Sequence, residues 1–512
     1  MAIEKLRPEE TIREYNFLGA EAAPSREMRI GACNIFGGTC GALKGRGCSK
    51  NADRAYNQAQ GCQLGLALGI LNAIENVVII IHAPLGCGAG FLGSSGVFRM
   101  IRTMKNASLF ENIWISTNLT QTEVIGGGLA KLESAVLYAE REFRPEAIVV
   151  ANSCVPALIG DDIDTLLNNL SRQTSAVLIP VHCEGFKSKL VASGYDAAYH
   201  GLLKKLVDPP AEYPRVLPDD IKDAKEKYRI AKTVNIINVS SASVQDENEL
   251  TRLLKALDLN VNVLPQHASI EEISRISEAA VNLSMCPTHD DYLTGHLKER
   301  FGTDYTIETI PVGLKNTARI LRHVGGLLGL EEAVERLIES EEAAFYAAVE
   351  PYRDAINGLR LFVGGGETRV LATAEQFQAL GAHIIAMKPH HFDIFAEPLL
   401  ADITPDTIID VAPGQPSEEM NLLARHRPDL YIGHLGAMVW PLKLGIPTMP
   451  LFGNTINYMG YTGAFEMIRR AVRILKNPGF AKKVYANVGQ PLRKSWYEKD
   501  PFYYIREEGD RA

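Results

Sequence analysis

No apolar run in the chain is long enough to cross a bilayer. The densest aliphatic stretch, "VVIII" at 77–81, falls far short of the roughly 20 residues a membrane-spanning helix needs. The opening "MAIEKLRPEETIREYNF" lacks the apolar core of a secretory signal, so a cytoplasmic location without membrane attachment is the expectation. A basic block is also missing. The 53 Lys and Arg against 61 Asp and Glu leave a net charge of −8, which disfavours nucleic acid and anionic membranes and favours a protein partner or small-molecule substrate. Cysteine is sparse, with eight in 512 residues and no C-x-x-C pair, which excludes a disulfide scaffold and argues against a local zinc knuckle. Short repeats and low-complexity tracts are absent as well.

What is present is enough apolar residue, 46%, to build two or three cores in a chain this long. Short β-branched runs ending in Gly, Pro or Asn recur, among them "NVVIIIHAPLG", "AIVVANSC", "AVLIPVHCEGF", "AAVNLSMCP" and "RLFVGGGETRV". They alternate with amphipathic stretches such as "RVLATAEQFQALGA", the pattern of parallel sheets covered by helices on both faces, which predicts an α/β fold. The polar stretch at 207–229 and the segment near 350 mark junctions. The expected organisation is an N-terminal extension at 1–50 and three units at 51–225, 226–350 and 351–512.

Cys87, Cys154, Cys183 and Cys286 each follow an apolar run, where α/β folds bind ligands beyond the carboxyl ends of their strands. A single buried cysteine is more often inert packing. Thiolates delivered singly by different strands suit a large iron–sulfur cluster, in which each thiolate caps one iron and sulfides bridge the rest. Gly86 and Gly88, which flank Cys87, would then let backbone N–H groups approach the cluster.

The ordered set "GCQLGLALGILNAIENVVIIIHAPLGCGAGF", "TNLTQTEVIGGGLAKL", "ANSCVPALIGDDID" and "PVHCEGF" resembles the α-type subunit of the nitrogenase component 1 superfamily, from about residue 55 to 475. The resemblance implies three Rossmann-like domains with parallel sheets. It assigns Cys62, Cys87 and Cys154 to an [8Fe-7S] P-cluster completed by three cysteines of a β-type subunit in an α2β2 heterotetramer. It also implies an ATP-hydrolysing, Fe-protein-like reductase carrying [4Fe-4S] as electron donor. "AAVNLSMCPTHDDYLTGHLKERFGTDY" resembles the segment that ligates the active-site cofactor, an [8Fe-9S-C]-type cluster, through one cysteine, here Cys286. Cys183 is no ligand in that family and is taken as packing, and the stretch holding Cys33, Cys40 and Cys48 has no counterpart there.

Several positions depart from the nitrogenase pattern. Met459, in "MGYTGAF", stands where the family places a histidine as the cofactor's second protein ligand, and a thioether is the weaker ligand. Val191 and Tyr195 stand at the offsets of a cofactor-side glutamine and a proton-donating histidine. A tyrosine, with an ordinary pKa near 10, is the poorer donor at neutral pH. In "GGGETRV", Glu367 falls near an arginine that faces the cofactor's organic acid. Its charge would repel homocitrate and favours a cluster without molybdenum, and Arg369 offers partial compensation. Together these changes fit poorly with dinitrogen reduction. Within the superfamily the likeness is greatest to the D-type subunit of methylthio-alkane reductases, which cleave C–S bonds of small thioethers such as dimethyl sulfide. Tyr195, His390 and His391 are the expected proton-relay candidates. Cys286 argues against the tetrapyrrole reductases of the superfamily. A cofactor-assembly scaffold and a nitrogenase α subunit remain alternatives.

Overall fold

In the computed structural model, the described residues are 20–30, 62–90, 112–188, 190–207, 230–238, 243–411, 416–434, 437–453, 456–489 and 493–499. Cys33, Cys40 and Cys48 lie outside them. The described strands form three separate sheets in which every pairing is parallel, the α/β arrangement expected from the sequence. The first sheet has the order β2-β1-β3-β4, with β1 Val77–His82, β2 Ile113–Ser116, β3 Ala147–Asn152 and β4 Val177–His182. The second runs β6-β5-β7-β8, with β5 Thr233–Asn238, β6 Asn260–Pro265, β7 Val281–Ser284 and β8 Asp304–Thr306. The third runs β11-β10-β9-β12-β13, with β9 Arg360–Gly365, β10 His383–Pro389, β11 Ile408–Ile409, β12 Leu430–Gly433 and β13 Thr448–Pro450.

Strands β1 and β3 are buried along their whole length, and this is why they read as unbroken apolar runs: helices cover both faces, so no position alternates toward water. Each strand order reverses at one point, between β1 and β3, between β5 and β7, and between β9 and β12. At such a point the connections after neighbouring strands diverge and open a crevice at the strands' carboxyl ends. Cys87 and Cys154 follow β1 and β3, Cys286 follows β7, Glu367 follows β9 and His434 follows β12. The chemistry-bearing residues therefore gather at three switch points.

Two packing features shape the surroundings of these crevices. Helix Ser193–Lys205 lies so close to helix Gln63–Leu71 that a Cβ on Gly194 would come 2.2 Å from the carbonyl oxygen of Gln63, so only glycine permits the approach. One apolar core then runs from β5 and β7 through β9, β10 and β12, and it contains Cys286, Phe392, Tyr458 and Met459.

Candidate functional site

Cys62 caps the start of helix Gln63–Leu71, Cys87 sits in the turn of helix Leu85–Ala89 directly after β1, and Cys154 opens helix Cys154–Ile159 after β3. All three are half-buried free thiols. A Cβ built on Gly185 would lie 3.4 Å from Cys62 Sγ and 3.5 Å from Cys154 Sγ, so both sulfurs flank the same bare backbone. Burial raises the Cys87 thiol pKa, and the nearby Cys62 and Cys154 raise it further, against a hydrogen bond from Ser153. A half-buried Cys87 thiol whose ionisation its surroundings disfavour suits a cluster whose metal charge stabilises the thiolate. Around them Leu85, Phe186, Leu158 (72% exposed) and Ile125 (89% exposed) face outward, an apolar surface of the kind that marks a protein contact.

The sequence expectation for the flanking glycines changes in detail. A Cβ on Gly86 would meet open space, but one on Gly88 would press on Ile81 Cδ1 at 3.3 Å, so Gly88 serves strand packing. The glycine that clears room at the sulfurs is Gly185, in a turn whose role only the fold reveals. Cys183 is fully buried, with its S–H 3.4 Å from the Asn152 carbonyl, a packed residue as expected.

The second centre is built at the start of helix Pro287–Phe301, capped by Cys286 with proline at the first helical position. Burial raises the Cys286 thiol pKa, and Glu367 adds to this. The Arg369 guanidinium and the backbone N–H groups of His289 and Thr288 favour the thiolate. Arg369 is buried 4.2 Å over the Phe452 ring, and its Nε and Nη2 have no hydrogen-bond partner among the described residues. A buried guanidinium with free donors calls for an anionic ligand. Tyr195 stacks on His289 with ring centroids 4.4 Å apart. Burial pushes the Tyr195 phenol up, as does the Cys286 charge, while burial and then Arg369 push His289 down to about 4. Both are therefore neutral near pH 7, with Tyr195 holding its proton. The donor set fits an anionic cluster held by one thiolate.

The Glu367 carboxylate is not free to face the Cys286 site. Its Oε1 accepts from Thr288 Oγ1 at 2.5 Å and lies 3.2 Å from His391 Nε2, which is also 3.3 Å from Asp393 Oδ2. Burial opposes both charges, yet the pairing wins, holding Glu367 at about 2 and His391 at about 10. The expected repulsion of an organic acid is thus largely offset by an internal imidazolium. His390 is the opposite case, since burial and then His434 push it down to about 3 and leave it neutral. Met459 is fully buried at the cap of helix Gly460–Lys476, with its N–H 2.9 Å from Asp246 Oδ1. Val191 is half-buried one turn ahead of Tyr195. Sequence reasoning missed His289, Thr288, Tyr458 and His434. Tyr458 hydrogen-bonds with Arg369, and its place beside Met459 was the available signal.

The family model for nitrogenase component 1 type oxidoreductases matches residues 62–476. The chain is 26% identical to the nitrogenase molybdenum-iron protein alpha chain of Methanothermobacter marburgensis over 82% of its length and 88% of the relative. It is 24% identical to the nitrogenase iron-molybdenum cofactor biosynthesis protein NifE of Rippkaea orientalis over 85% of its length and 88% of the relative. The fold matches the structure of nitrogenase Cp1 at pH 5 with a TM-score of 0.66 and 19% identity, covering 85% of this chain and 91% of that one. With three parallel sheets arranged in this way and a match over most of its length, the chain belongs to the nitrogenase component 1 type oxidoreductase family.

Proposed function

We propose that the chain is the catalytic α-type subunit of a nitrogenase-like reductase that cleaves a C–S bond of small thioethers. Dimethyl sulfide would take up two electrons and two protons and yield methane and methanethiol. The observation that carries this reading is the buried Cys286 site, where one cysteine is kept while the family's second-ligand and proton-donor histidines are replaced by the buried Met459 and by Tyr195. An [8Fe-7S] cluster held by Cys62, Cys87, Cys154 and a β-type partner would relay electrons, and an [8Fe-9S-C]-type cluster without molybdenum on Cys286 would offer soft iron to a soft thioether sulfur.

The chain's own residues do the rest. The amides of Thr288 and His289 hold the Cys286 thiolate, and Arg369 balances anionic charge beside it. Tyr195 keeps a proton on its phenol oxygen next to neutral His289. Val191, in place of an amide side chain, suits an alkyl substituent. The apolar rim around the three cysteines suits the β-type subunit of an α2β2 heterotetramer, served by an ATP-hydrolysing reductase.

A second reading, a scaffold on which the cofactor is assembled and then released, is favoured by the NifE relatives and by the weak Met459 end. The test is to load the purified complex with cofactor, run it with its reductase, ATP and dimethyl sulfide, then add apo-nitrogenase. The enzyme reading predicts thioether consumption with cofactor iron retained. Iron transfer without consumption would establish the scaffold.

A further inference from the structure

Arg26 lies far from every motif that relates the chain to its family, in the stretch expected to be a mere N-terminal extension. Among the described residues it is the most deeply buried cation. Its side chain and those of Asp196, Asp291 and Asp393 are all 0% exposed. Nη1 reaches Asp291 Oδ1 at 2.7 Å and Asp196 Oδ1 at 3.1 Å, and Nη2 lies 3.5 Å from Asp393 Oδ2. Arg29, one turn on, repeats the contact to Asp196 at 2.9 Å and to Asp291 at 2.7 Å. The backbone N–H of Arg26 donates to Ser193 Oγ at 3.1 Å, which fixes the short helix Arg26–Ile30 against helix Ser193–Lys205.

The three carboxylates come from three different places. Asp196 is on the helix after β4 of the first sheet, Asp291 on the helix after β7 of the second, and Asp393 in the turn after β10 of the third. Nη1 also donates to the Thr288 carbonyl at 3.1 Å, two residues from Cys286. The same Thr288 donates its hydroxyl to Glu367, which pairs with His391 and through it with Asp393. Residue 288 is thereby tied from both sides, by the N-terminal segment through its carbonyl and by the third sheet through its hydroxyl.

We infer that Arg26 is a positioning residue for the cofactor site. It fastens the first turn of the helix capped by Cys286 through the Thr288 carbonyl, and its charge, 3.5 Å from Asp393, draws the 391–393 turn of the third sheet toward that turn. The inference deepens the proposed function and rests on it only in supposing that Cys286 holds a cluster. Removing Arg26 would leave Asp196 and Asp291 still served by Arg29 but would strip Asp393 of its guanidinium, so the loss should fall on the third-sheet side of the site.

The test compares R26Q and D393N with wild type, each purified as the complex with the β-type partner. D393N removes the third-sheet carboxylate, which faces both Arg26 and His391, and keeps the contacts of Arg26 to Asp196, Asp291 and Thr288 should R26Q fold poorly. The expected result is a three-cysteine cluster signal undiminished per complex, cofactor iron reduced at least fivefold, and amide exchange of the 287–296 segment at least tenfold faster. R26K should recover part of the cofactor iron, because one ammonium can serve one arm and not the fork. Unchanged cofactor iron and unchanged exchange in both variants would overturn the inference. So would equal loss of both clusters, which would mark a general folding role. If wild type carries cofactor but consumes no thioether, the proposed function fails while this inference stands, and if wild type carries no cofactor the exchange readout still decides it.

Discussion

At the level of single residues, Cys87, Cys154 and Cys286 were legible in the sequence because each follows an apolar run that ends a strand, whereas Cys62, ahead of the first strand, was marked only by the resemblance. Their partners were not. Glu367 read as an unpaired negative charge because His391 and Asp393 arrive from a different strand connection, and sequence spacing carries no trace of that meeting. If Cys286 alone anchors the cofactor, C286A should abolish turnover while leaving the electron paramagnetic resonance of the three-cysteine cluster intact. Loss of both signals together would refute that division of labour. His182 offers a test of the electrostatics. Its Nε2 is 2.6 Å from Asp164 and its Nδ1 3.3 Å from Glu184. Burial works against its charge, but these carboxylates raise it from an ordinary 6.5 to about 9. A raised folded pKa stabilises the fold fully below about pH 6.5 and loses that contribution as pH rises through about 9. On the order of 2 kcal/mol should disappear between those limits, so the melting temperature of H182Q should fall less than that of wild type between pH 6.5 and 9.5.

At the level of elements, the strands were readable because burial on both faces removes polar positions. The structure adds that Cys62, Cys154 and Cys286 stand at helix N-termini, and that the backbone N–H groups of Thr288 and His289 favour the Cys286 thiolate. The turn at Gly185 was not legible as a site element, since its value depends on Cys62 and Cys154 converging there from distant parts of the chain. G185A should fold with wild-type circular dichroism but hold markedly less iron at the three-cysteine site, because the added methyl occupies the space at both sulfurs. Full iron content in that variant would show that the cluster sits on another side of the thiols.

For the whole molecule, composition indicated several α/β units, and the motif order indicated the family. What neither could supply was the way three sheets share one buried polar junction, with Arg26 at its centre and Cys286 at its edge. Such junctions depend on single residues from each unit, and a lone Arg or Asp has no pattern of its own. The apolar rim beside the half-buried cysteines is likewise the kind of surface that marks a protein contact, and it forms only once the fold gathers it. Thioether cleavage is tested by supplying the complete complex, its reductase and ATP with fully deuterated dimethyl sulfide under dinitrogen and analysing the headspace by mass spectrometry. A C–S reductase yields trideuterated methane and trideuterated methanethiol in equal amounts, without ammonia. Ammonia from dinitrogen, or no hydrocarbon from a cofactor-loaded complex, would contradict that reading.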